Sequence, residues 1–224
     1  MKLDFSEYFA QYEALVAEVD SVFNRVADMH GDCITCKTGC SDCCHALFDL
    51  SFIEALYLNH KFLERYPFGE ERSIIVEAAN TADRKAYKTK RQLYRESMKG
   101  TDSRELLEAM AKERIRCPLL NDEDKCIMYD VRPITCRLYG IPTNIGGKAH
   151  TCGLSKFEAG KPYPTVSLDA IQDRLAKISI DACKSVKSLY KELPGVFVPV
   201  SMALITTYDD DYLGLKKPKK KDAS

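Results

Sequence analysis

Five cysteines stand within twelve residues of this chain, in the run CITCKTGCSDCC from Cys33 to Cys44. Four more follow at wider spacing, Cys117, Cys126, Cys136 and Cys152, and Cys183 stands apart. No other feature narrows the fold so much. A segment this rich in thiols must cross-link them, expose them to oxidation, or aim them at a metal.

Disulfides need an oxidising compartment. The N-terminal stretch MKLDFSEYFAQYEAL interrupts its apolar residues with Asp4, Glu7 and Glu13, so no secretory h-region is expected. The longest apolar run, VFVPVSMALI from Val196 to Ile205, contains Pro199 and is too short to cross a bilayer. The expectation is a cytoplasmic protein without a membrane partner. Clustered cysteines there point to metal or redox chemistry.

A metal site needs several thiolates converging from different segments, which then closes the fold around the ion. Gly39, inside KTGCSDCC, suits a chain that bends sharply round such a centre. The adjacent pair Cys43 and Cys44 is expected to diverge, serving two sites, two atoms of a cluster, or one ligand and one packing position. Cys183, on the apolar side of a helix beside Ala182 and Val186, reads as a buried free thiol. His45 and His150 read as residues beside the centre or on the surface, because cysteines already suffice in number.

The remaining chain reads as helix. Phe9, Tyr12, Val16, Val19, Phe23 and Val26 alternate spacings of three and four, which predicts a long amphipathic helix ending at Gly31. Ser51 and Glu54 form a capping-box pattern opening a helix that stops before Pro67. Glu70 to Met98 predicts a mostly polar helix on a thin stripe of Ile75, Ala79, Ala82, Ala86 and Leu93. Shorter helices are expected from Asp102 to about Ile115 and around Val131 to Tyr139. A long one is expected from Ser167 to Leu193, and a last turn or two after Pro199. The expected fold class is mainly α, a helical scaffold with irregular cysteine-rich loops gathered around a metal centre. One domain is expected over 1–215, with a disordered basic tail at 216–224.

The cysteines carry a resemblance as well. CKTGCSDCC, then CPLL, CIMYDVRPITCRLY and a late TCG, together resemble the CxxCxxCC family of zinc- or iron-chelating domains, over about 36–153. Carried over residue by residue, the resemblance implies metal ligands at Cys36, Cys40, Cys43, Cys44, Cys117, Cys126, Cys136 and Cys152. Three residues separate Cys36 from Cys40 where the family signature has two, which makes Cys33 a second candidate for that place. Arg132 and Arg137 flank Cys136 and are expected to offset thiolate charge.

Eight thiolates fit two tetrahedral zinc sites or iron–sulfur clusters of four thiolates each, with a 4Fe–4S cluster favoured by the scattered spacing. Some flagellin lysine methylases resemble the same family, which raises S-adenosylmethionine-dependent methyl transfer as the alternative to a structural, redox or metal-handling centre. No glycine-rich nucleotide loop supports it; IGGK at Ile145 to Lys148 is too short. Lys and Arg equal Asp and Glu at 33 each, so no global charge draws the chain to nucleic acid. Locally, RKAYKTKRQLYRE from Arg84 to Glu96 forms a basic helical face that could meet RNA or an acidic protein partner.

Overall fold

The computed structural model describes residues 3–36 and 39–215, so the expected basic tail lies outside the described residues. Helix α1 spans Ser6–His30 and buries Tyr12, Val19 and Val26 of the predicted stripe, with Leu15 beside it. After the first cysteine segment, strand β1 (Asp49–Leu50) leads into α2 (Phe52–Arg65). Helix α2 is the central element: every residue from Phe52 to Asn59 is buried, as is Phe62. A large apolar side chain fully removed from water contributes roughly 1.5–3 kcal/mol, so this helix anchors the fold.

Helix α3 (Glu70–Met98) buries only Ile75, Ala79, Ala82 and Ala86, which explains its polar composition. Helix α4 covers Ser103–Lys112. It stops short of Ile115 because that residue's amide leaves the helix to bond the His45 carbonyl at 2.9 Å. The predicted helix around Val131 resolves into a 3₁₀ turn at Tyr129–Val131 and α5 at Ile134–Leu138.

Strands β2 (Thr143–Ile145) and β3 (Lys148–His150) form an antiparallel hairpin, and β4 (Val166–Ser167) pairs with β2 in parallel. The IGGK segment is thus a hairpin turn, its Gly146 amide donating to Asp169 Oδ2 at 2.8 Å.

Helix α6 spans Leu168–Ser185, ending well before Leu193. Lys187 takes φ 55°, and the Ser188 amide turns back to the Cys183 carbonyl at 3.1 Å, a C-terminal lock made without glycine. Leu189, inside the helix expected to reach Leu193, lies beyond its end and is 54% exposed. Strand β5 (Val198–Pro199) pairs with β1, and α7 (Val200–Ile205) packs on α2 and α3.

The core has three parts. One gathers α1, α5, α6 and the Ile53–Tyr57 side of α2. A second joins α2, α3 and α7 with Leu119 and Met128, and the partly buried Cys117 and Cys126 pack on it. A third encloses Phe5, Phe52, Leu56 and Cys183. Among the described residues no helix is long and apolar enough to cross a membrane.

Candidate metal centre

Backbone pairing brings the distant cysteine segments together. Cys43 and Cys44 lie in a 3₁₀ turn at Asp42–His45. The Cys44 carbonyl accepts from the Cys117 amide at 2.7 Å, and Ala46 bridges Arg114 in antiparallel fashion. Cys126 is set by a second small ladder, in which Leu120 faces Cys126 and the Ile127 amide donates to the Leu119 carbonyl at 2.9 Å. The Asn121 side chain shapes the intervening turn by accepting from the Lys125 amide at 2.8 Å.

Cys136 rides on α5, whose first amide, at Ile134, donates to buried Glu54 Oε1 at 3.1 Å. The other Glu54 oxygen accepts from Ser51, closing the predicted capping box. One carboxylate therefore caps two helices and fixes the Cys136 segment against α2.

Seven cysteines line a single cavity of 530 Å³: Cys36, Cys40, Cys43, Cys44, Cys117, Cys126 and Cys136. The neighbouring thiols Cys43 and Cys44 do not diverge into separate spaces. Both line this cavity, with their sulfurs 4.0 Å apart at the Asp42–His45 turn. All ten cysteines are free thiols. Among the described residues no three Cys, His, Asp or Glu side chains converge tightly enough to hold a lone ion; the sulfurs surround a space.

The glycines do what such a site requires. Gly39 has φ 87° at the bend between Cys36 and Cys40. Gly140, at φ 107°, gives way to Cys36: a Cβ built on it would collide with the Cys36 sulfur, whose thiol lies 3.5 Å from the Tyr139 carbonyl.

The thiols burden one another electrostatically. Burial pushes Cys36 up to about 11, with Cys40, Cys152 and Cys43 adding repulsion. Burial takes Cys117 up to about 12. Cys136 is raised well above an ordinary thiol by burial, then by Cys43, Cys117 and Cys126. The hydrogen bond between the adjacent pair lowers Cys43 to about 7 and raises Cys44. Several thiolates can coexist here only if a cation neutralises them, so the donor set fits a thiophilic metal centre.

Arg132 meets part of the expectation. It stacks over Tyr129 at 4.0 Å, and its charge favours the thiolates of Cys43 and Cys126. Arg137 does not donate to sulfur. Its buried guanidinium is taken up by Asp20 at 2.6 Å and by the Arg132 and Asp130 carbonyls at 2.9 and 2.5 Å. It ties the α5 segment to α1.

Cys152 does not line the cavity, though it lies near enough to Cys36 to raise that thiol, and its sulfur is 4.0 Å from Asp42 Oδ2. Asp42 also accepts from the Tyr139 hydroxyl at 3.0 Å and pairs with Arg114. Nothing in the one-dimensional pattern singled Asp42 out, although its place inside SDCC is a signal of proximity. Cys33 does not line the cavity; its carbonyl accepts from the Lys156 amide at 2.8 Å, joining the two cysteine-bearing loops at their outer ends. His45 turns Nδ1 toward the Ser41 carbonyl at 3.0 Å, and His150 is exposed on β3. Cys183 is buried among apolar side chains, raised to about 11 by that burial alone.

A family model, CxxCxxCC, described as "Putative zinc- or iron-chelating domain", matches residues 35–153, just over half of the chain. Neither the curated proteins nor the solved structures compared with the chain yielded a match.

Proposed function

The chain belongs to the CxxCxxCC family of zinc- or iron-chelating domains, and on that footing we propose that it carries an iron–sulfur centre in the cysteine-lined cavity. The ligands are drawn from Cys36, Cys40, Cys43, Cys44, Cys117, Cys126 and Cys136, with Cys152 as the remaining member of the set. The observation that carries this reading is the single shared space. Seven sulfurs around 530 Å³ suit a centre of several atoms better than a lone tetrahedral ion.

Such a centre supplies electron transfer, or a store of iron, and it holds together loops that have few apolar contacts of their own. The chain's residues set its surroundings. Arg132 lends positive charge to the Cys43 and Cys126 side, and the Tyr129 ring holds that guanidinium in place. All ten cysteines are unpaired, which fits the reducing cytoplasm. The whole of 1–215 is read as one domain built around this centre.

A second reading is a cluster-dependent methyl transferase using S-adenosylmethionine. It is favoured by the apolar wall of the same cavity, where Leu47, Phe48, Ala82 and Val200 leave room beside the thiols.

Anaerobic purification followed by iron, sulfide and zinc analysis with an absorption spectrum tests the proposal. Brown protein with matched iron and acid-labile sulfide is expected. Colourless protein holding only zinc would replace the cluster with zinc sites. Binding of S-adenosylmethionine in calorimetry, lost in Phe48→Asp, would advance the second reading.

A further inference from the structure

The polar side of α3, turned away from the cysteine cavity, carries a feature that metal binding leaves unused. From Arg84 to Arg95 the helix holds six cations and no carboxylate. The cavity touches α3 at Ala82 and Ala86, on its buried seam. Arg84, Lys88, Arg91 and Arg95 recur at spacings of four, three and four, so they form one row on the opposite face. Beside that row runs a second, Tyr87, Tyr94 and Met98, exposed to 62, 66 and 71%.

Two of the helix's cations are engaged. Lys90 turns to β1 and pairs with Asp49 at 2.6 Å, and Arg84 pairs with Glu77 at 3.3 Å. Among the described residues Lys88, Arg91 and Arg95 meet no carboxylate. Two tyrosine rings left in water, two helical turns apart, lie along a row in which Lys88, Arg91 and Arg95 are free of carboxylates and Arg84 is held by an exposed pair.

We infer that this face binds single-stranded RNA. The cation row is about 16 Å long, enough for roughly four phosphates of a nucleic-acid strand. The rings alongside offer stacking platforms for unpaired bases, which RNA presents in loops and single strands. An acidic peptide would engage the cations and leave the rings idle. A duplex would keep its bases stacked away from them.

The test uses the full chain with its metal and a fluorescent oligouridylate of about twelve nucleotides, read by anisotropy in about 50 mM salt. Binding is expected, weakening as salt rises with a log–log slope near −3, as about four neutralised phosphates on a single strand dictate. Tyr87→Ala and Tyr94→Ala should each weaken binding about tenfold, and Tyr94→Trp should restore it. Lys88→Glu/Arg91→Glu/Arg95→Glu should weaken it more than 30-fold on the order of the lost phosphate contacts, with melting temperature and metal content unchanged.

Deleting 216–224 should leave most of the binding. Loss on that deletion with no effect of the α3 variants would assign binding to the basic tail and overturn the inference. So would absence of binding, polyglutamate competing as well as RNA with the tyrosine variants silent, or tighter binding of the matching oligothymidylate. Because all these variants lie off the cavity, a failure here leaves the cluster assignment standing.

Discussion

The Cys117 amide donates to the Cys44 carbonyl at 2.7 Å, so the double cysteine and the CPLL segment are joined backbone to backbone before any metal is considered. The neighbouring bond from the Ile115 amide to the His45 carbonyl extends this clamp. Ile115→Pro removes that donor while respecting an already extended chain. It should cost about 1–2 kcal/mol and lower the metal content by more than it lowers helix content, read by metal analysis beside circular dichroism.

Gly140 is the tightest point of the Cys36 side. Gly140→Ala introduces a Cβ into the sulfur's place and a strained positive φ, at about 1–3 kcal/mol. The proposed cluster should be lost or become oxygen-labile, measured as bleaching of the visible absorption in air. Gly160→Ala is a control for strain alone: it also has positive φ, at 82°, but meets nothing within 4 Å. It should keep the colour.

Glu54 accepts from Ser51 and from the Ile134 amide in a fully buried setting. Glu54→Ala orphans those donors and should destabilise the fold by about 2–4 kcal/mol in urea unfolding. Burial raises the Glu54 carboxyl, partly offset by its hydrogen bonds. Its raised value contributes stability below the ordinary glutamate range, and that contribution is lost as pH climbs through the folded value.

Asp130 shows the opposite sign. Its bidentate bond with Arg65, at 2.7 and 3.0 Å, holds the carboxyl below the usual carboxylate range, and the same guanidinium grips the Ile127 carbonyl at 2.8 Å. The stability it provides is present above an ordinary aspartate pKa of about 3.9 and fades as pH falls through the lower folded value. Asp130→Asn should therefore be less stable than wild type at neutral pH, and the gap should close in strong acid, followed by unfolding midpoints across pH.

Much of this architecture was legible in the sequence because its cues are local. The α1 seam from Tyr12 to Val26, the Ser51–Glu54 box and the bounds of α3 rest on periodicity and capping, which a single helix satisfies by itself. The α6 terminus was not legible, since Lys187 supplies a left-handed turn where glycine is the usual signal. The early end of α4 depends on pairing with His45 and Ala46, which no window around Ile115 contains. At the site, spacing and family resemblance named eight cysteines, of which seven share the cavity and Cys152 does not line it. The convergence of Arg114, Tyr139 and Cys152 on Asp42 was invisible because it joins four segments. Arg137, expected to offset thiolate charge, pairs with Asp20 instead, since a buried guanidinium takes the nearest carboxylate.

X-ray absorption at the iron edge of anaerobically purified protein is the decisive test of the proposed centre. An iron–sulfur cluster in this cavity requires neighbours made only of sulfur and a short iron–iron distance. A shell of nitrogen and oxygen, or iron without a neighbouring iron, would contradict it.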